Sequence, residues 1–98
     1  MSGTNTVVRR GSLLLPRPFV APRDPLEEVL AAIWAAVLNL DEVGVEDDFS
    51  ELGGDSFDAE NVQMAIESEI GVRVPLSAMV ETPNVAALAR DIQRIRAS

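Results

Sequence analysis

From Asp24 onward, apolar residues return at helical spacing in four separate blocks. Leu26, Val29, Leu30, Ile33, Trp34, Val37 and Leu38 recur three and four apart without a gap, which predicts one amphipathic helix. Its start is signalled by Asp24 as N-cap, Pro25 at the first helical position and Glu27 reaching back in a capping box; Asn39 can end it. Ser56 to Ile70 reads as a second helix, with Ala59, Val62, Ala65, Ile66 and Ile70 on one side and Gly71 as its stop. The other side carries Phe57, Glu60, Asn61, Met64 and Ser68. Pro75 to Val80 suffices only for a short third helix. Thr82-Pro83 caps a fourth, whose stripe is Val85, Leu88, Ala89, Ile92 and Ile95. No period-two alternation and no internal repeat interrupts this pattern. The expected fold is therefore all-α, a four-helix bundle whose core joins Trp34, Val62, Ile66, Leu88 and Ile92.

Two stretches lie outside the helical pattern. Between Leu40 and Asp55 the apolar residues Val43, Val45, Phe49 and Leu52 are spread among acids and glycines, as in a long loop pinned to a core; loops of that length usually carry function. Residues 1–23 are small, polar, basic and punctuated by Pro16, Pro18 and Pro22. Such a composition buries too little apolar surface to offset chain entropy, so this stretch is expected to be a flexible linker or tail, with the folded domain spanning 24–98.

Charge and composition narrow the function. All sixteen acids lie from Asp24 onward against four basic residues there, a net charge of −12, and between Asp41 and Glu69 there are eleven acids and no base. That field repels nucleic acid and suits basic protein surfaces, although any single acid can equally be solubilising. No apolar run approaches the roughly 20 residues of a membrane span. Arg9-Arg10 before Leu13-Leu14-Leu15 makes no export signal, because Pro16 and Pro18 cut the run. The chain has neither cysteine nor histidine, which removes disulfides, the usual metal ligands and the commonest general base together. Self-contained catalysis is not expected. A cytoplasmic address fits the lack of cysteine without being required by it.

The densest chemical signal is Leu52-Gly53-Gly54-Asp55-Ser56 at the start of the second helix. Two glycines bare the backbone there, and a hydroxyl sits at the positive end of the helix dipole, where a phosphate is welcome. Taken alone, the same residues could be only a turn followed by an N-cap. A Ser-His-Asp hydrolase cannot be assembled without histidine, and a phosphate loop of the Walker kind lacks its lysine. Asp41, Asp47, Asp48 and Asp55 lack the alternation and closing glutamate of a calcium loop. What remains is a serine that is acted upon.

Asp47-Asp48-Phe49-Ser50-Glu51-Leu52-Gly53-Gly54-Asp55-Ser56 resembles the D-D-F-F-x-L-G-G-D-S signature of the peptidyl carrier (thiolation) domains of nonribosomal peptide synthetases, with Ser50 in place of the second aromatic. Val20-Ala21-Pro22-Arg23-Asp24-Pro25-Leu26-Glu27-Glu28 is similar to the stretch leading into helix 1 of such domains. Leu15-Pro16-Arg17-Pro18 is similar to the L-P-x-P element of a linker from a preceding adenylation domain. Glu81-Thr82-Pro83-Asn84-Val85-Ala86-Ala87-Leu88-Ala89 resembles the family's last helix. The resemblance runs over residues 16 to about 95 and implies a bundle of the acyl carrier type, with a long loop between helices 1 and 2 and a short helix 3.

By the same resemblance, Ser56, with Gly54 and Asp55 beside it, receives 4′-phosphopantetheine from coenzyme A through a phosphopantetheinyl transferase. The arm's thiol then carries an aminoacyl or acyl group, which fits a chain without a thiol of its own. A monomer is expected to visit an adenylation or other acyl-loading enzyme, then condensation, ketosynthase, tailoring or thioesterase enzymes. Phe57, Glu60, Asn61 and Met64 on the outer side of helix 2, with Met79 or Val80 from helix 3, are the expected docking face. Phe57 either anchors partners there or folds back on Phe49 and Leu52. Phe57-Asp58 after the serine and the acidic Ile66-Glu67-Ser68-Glu69-Ile70 look closer to free-standing acyl carrier proteins, so that subtype stays open. A non-carrier acidic helical interaction module is the third reading.

Overall fold

The computed structural model describes residues 6–81 and 83–97, apart from the side chain of Val80. Among these, four α-helices follow in order: α1 (Pro25–Leu38), α2 (Ser56–Ile70), α3 (Leu76–Glu81) and α4 (Val85–Ala97), with a 3₁₀ turn at Arg10–Leu13 upstream. Helix α1 packs on α2 and α4, and α3 bridges α2 and α4. This is the four-helix arrangement with a long first connection that the periodicity predicts.

Local signals explain the helix ends. The Asp24 carboxylate accepts from the Glu27 N–H at 2.8 Å, and Asn39 closes α1 in the left-handed conformation at φ 59°. The expected capping box is modified, because the Glu27 carboxylate accepts from the N–H of Arg23 rather than from Asp24 and also pairs with the Arg23 guanidinium. That arginine holds the Glu27 carboxyl below its ordinary value against the opposing effect of burial. Gly71 ends α2 at φ 81°, a position open to glycine without a Cβ penalty. Thr82 lies outside the described residues. The cap of α4 is Asn84, whose side-chain oxygen accepts from the Ala87 N–H at 2.9 Å.

Trp34, Val62, Ile66, Leu88 and Ile92 meet in the core, joined by Leu30, Val45, Val74 and Val85, and each of these is at most 1% exposed. Burying one such side chain contributes roughly 1.5 to 3 kcal/mol before entropy is counted. The α1 stripe is narrower than its spacing implies, for Val29 remains 36% exposed at the edge of the interface with α2 and α4.

The segment before α1 differs from a free tail. Val8 pairs with Leu40 as an isolated parallel bridge, donating to Asn39 O and accepting from the Asp41 N–H, each at 2.9 Å. The Val20 carbonyl accepts from the Val45 N–H at 2.9 Å. Leu13, Leu15 and Val20 pack against the core. In the described residues from 6 onward, backbone pairing with the long loop gives this segment partners that its composition alone did not suggest.

Candidate functional site

The loop from Leu40 to Asp55 is built to deliver Ser56. Val43, Val45 and Leu52 are buried as pins, and backbone bonds from Phe49 N–H to Pro83 O and from Ala86 N–H to Val45 O tie it to the start of α4. Asp48 organises the next turn by accepting from both the N–H and the hydroxyl of Ser50 and from the N–H of Glu51. The Ser50 hydroxyl is the main reason that the Asp48 carboxyl lies below its ordinary value. Serine at position 50, where the signature has an aromatic, thus has a local structural use.

Phe49 is the keystone of the turn. Its ring meets Trp34 edge to face, with centroids 4.8 Å apart at 73°. Its carbonyl accepts from the Gly54 N–H at 3.0 Å, folding the chain back on itself. Gly54 lies so close to that ring that a Cβ would fall 2.3 Å from Phe49 Cε2. Gly53 serves differently, adopting φ 95° with open space around it.

Asp55, not Ser56, is the N-cap of α2. Its carboxylate accepts from the Asp58 N–H at 2.9 Å, and the Asp58 carboxylate accepts from the Asp55 N–H at 3.2 Å, a reciprocal capping box. Capping is therefore complete without the serine. Ser56 is exposed at the first helical position, and among the described residues nothing hydrogen-bonds its hydroxyl. Beside it runs a groove of about 290 Å³, lined by Phe49, Ala59, Met79 and Pro83 as well as by Asp48, Gly54 and Asp55.

The residues expected to form a docking face divide. Phe57 is 68% exposed and Met64 63%, Glu60 is exposed between them, and Asn61 is half-buried. Phe57 therefore does not fold back on Phe49 and Leu52. Met79, at 4% exposure, is buried and forms the wall of the groove beside Ser56. A helix of six residues is too short for spacing to decide which side faces in. The Val80 side chain lies outside the described residues. No cluster of metal-ligating side chains occurs among the described residues, and no helix there is long and apolar enough to cross a membrane.

The groove suits a slender, largely apolar chain attached to the serine. It offers an aromatic ring, a thioether and a proline to such a chain, and no lysine or arginine lines it to hold a free phosphate by charge. The first-turn amides of α2 favour a phosphate at Ser56, but the carboxylates of Asp55 and Asp58 stand beside them. A phosphate group fits here when a covalent bond to the serine holds it.

Comparison with known proteins agrees with this geometry. Residues 28–92 match the family model described as phosphopantetheine attachment site. The chain is 40% identical over 81 residues to indigoidine synthase of Streptomyces lavendulae, which is 83% of this chain and 6% of that protein. It is 38% identical over 84 residues to tyrocidine synthase 3 of Brevibacillus parabrevis, which is 86% of this chain and 1% of that protein. The chain thus spans only a few per cent of the length of these relatives. Among solved structures, it superposes with a TM-score of 0.75 and 33% identity on a chain from the complex of the phosphopantetheine transferase Sfp with coenzyme A and a peptidyl carrier protein, covering 78% of this chain and 99% of that one. A glycine turn that frees one exposed serine, in a helical bundle shared with such carriers, has its explanation in descent: the chain belongs to the phosphopantetheine attachment family, as a carrier domain of the nonribosomal peptide synthetase kind with 4′-phosphopantetheine as its prosthetic group.

Proposed function

We propose that Ser56 is the attachment point and that the chain carries an aminoacyl or peptidyl group between enzymes of nonribosomal peptide synthesis. The observation that carries this reading is the uncapped, exposed Ser56 hydroxyl at the head of α2. In the transfer, the Ser56 oxygen attacks the phosphorus of coenzyme A that bears the pantetheine. A new O–P bond forms, the bond to 3′,5′-ADP breaks, and the serine proton passes to a general base in the complex with the transferase. When bound, the arm supplies the thiol on which an acyl group is held as a thioester. Gly54 and Asp55 fix the turn and the cap that present the hydroxyl, and Phe49 and Met79 form the apolar wall beside it. Loading, condensation and release belong to the enzymes visited.

The test is mass spectrometry after incubation with coenzyme A and a phosphopantetheinyl transferase of broad specificity. One arm should be gained, on the peptide containing Ser56. A chain that gains none, under conditions that modify a known carrier, is not a carrier.

Docking is assigned to the exposed side of α2. Phe57 and Met64 give it an aromatic anchor and an adaptable thioether, and Glu60, with Asp58 and Glu67, draws basic partner surfaces toward it. Combining Phe57→Ala with Glu60→Lys should slow exchange with transferase and loading enzymes about tenfold at low salt, while helicity and thermal unfolding stay near wild type. Unchanged partner kinetics would leave these acids as solubilising charge only.

A further inference from the structure

The loop that delivers Ser56 contains a fully buried carboxylate, Asp47, at 0% exposure. Its partner comes from 37 residues upstream: Arg10 Nε donates to Oδ2 at 2.5 Å and Nη2 to Oδ1 at 2.6 Å, a bidentate fork with the guanidinium almost wholly buried. Asp47 Oδ2 also accepts from the Gly44 N–H at 2.8 Å. Arg10 is itself held in place on several sides. Its backbone N–H donates to Asp41 Oδ1 at 2.8 Å, Nη2 reaches the Arg17 carbonyl at 3.1 Å, and its guanidinium carbon lies 5.4 Å from the centre of the Phe19 ring. The arginine thus ties the start of the 3₁₀ turn to the loop and, through the Arg17 carbonyl, holds the segment that follows the turn. A buried carboxylate left without this partner is strongly unfavourable, so loop and upstream segment must be seated together.

The consequences run toward the serine. Asp47 is two residues before Phe49, whose ring and carbonyl set Gly54, and Gly54 is two residues before Ser56. We infer that Arg10 is a positioning residue for arm attachment: by forking Asp47 it fixes the loop that presents Ser56, and it makes the segment from Val8 to Val20 part of the working carrier. The inference rests on the carrier reading for its functional half, whereas the clamp itself stands on the geometry.

The experiment compares the full chain with its Arg10→Met and Arg10→Lys variants, by amide hydrogen exchange and by the rate of arm transfer from coenzyme A. In Arg10→Met, exchange at Asp47 and Gly54 should accelerate about tenfold or more relative to Val62 and Ile92 in the helices, because the closed loop then buries the Asp47 carboxylate without its partner and local opening returns it to water. The kcat/KM of transfer to Ser56, measured well below the unfolding temperature, should fall about fivefold. Lysine keeps the charge and loses the fork, so Arg10→Lys should fall between the two. Acceleration spread equally over loop and helices would reduce Arg10 to a general stabiliser, and an unchanged loop, or a loosened loop with transfer at the wild-type rate, would also overturn the assignment. Should Arg10→Met not fold, the same comparison in Arg10→Lys decides. Wild-type chain that takes no arm would sink the carrier reading, while the exchange comparison still reads the clamp.

Discussion

Replacing Ser56 with alanine should abolish arm attachment entirely while the bundle folds as before. The serine hydroxyl makes no hydrogen bond among the described residues, its side chain is exposed, and the cap of α2 is the Asp55–Asp58 box rather than Ser56. Removing one exposed hydroxyl at the first helical position should therefore change stability by less than about 0.5 kcal/mol. The loss of function should nonetheless be complete, since the oxygen is the atom that forms the new bond to phosphorus. Ser50 and Ser12 give no substitute: the Ser50 hydroxyl is bonded to Asp48 at 2.5 Å, and that of Ser12 to the Arg9 carbonyl at 2.7 Å. Intact-mass measurement after incubation with coenzyme A and transferase checks the first half, and denaturant unfolding checks the second. A Ser56→Ala chain that still gained the arm would move the site elsewhere. A variant that unfolded would mean that the hydroxyl had a structural use that the geometry gives no hint of.

The readable parts of this chain are those in which the spacing of neighbouring residues fixes their surroundings. Helices α1, α2 and α4 are long enough for their period to show, and the limits of α1 and α2 follow from Asp24, Asn39, Asp55 and Gly71. The turn and cap that present Ser56 were legible because Gly53, Gly54 and Asp55 stand together at the head of α2. Met79 and Val29 were not, since a six-residue helix and the rim of a stripe owe their burial to neighbours that spacing does not name. The seating of residues 8–20 was the largest omission. Its basis is a pairing between Arg10 and Asp47 and a bridge between Val8 and Leu40, both far apart in sequence, and its proline-rich composition points the other way. The electrostatic signal was there to read: a basic stretch before α1 and, after it, eleven acids without a base. Such complementarity suggests attraction but not which arginine will find which acid. Burial decides that: among the acids of this loop, Asp47 is the one fully enclosed, at 0% exposure, and it takes the Arg10 fork.

Gly54→Ala should damage the domain more than Gly53→Ala, although the two glycines are adjacent and only Gly53 has a positive φ. At Gly53 the added methyl meets open space, and the cost is that of holding alanine at φ 95°, about 1 kcal/mol. At Gly54 the methyl would lie 2.3 to 2.6 Å from three atoms of the Phe49 ring. That ring has little freedom to retreat. It stands 4.8 Å from Trp34, which is buried in the core, and its backbone is held by the bonds from Phe49 N–H to Pro83 O and from Gly54 N–H to Phe49 O. Either the ring leaves Trp34 or the turn opens, and overpacking of this kind costs about 3 kcal/mol. The second outcome would also misplace Ser56, so arm transfer should slow about tenfold or more even where the chain is fully folded. Trimming the ring tests the cause: Phe49→Leu in the Gly54→Ala background should recover part of the lost stability, although Phe49→Leu alone lowers it, giving a coupling between the two sites of about 1 kcal/mol or more. Equal costs for the two glycine substitutions, with no coupling to position 49, would mean that the ring does not occupy the space above Gly54.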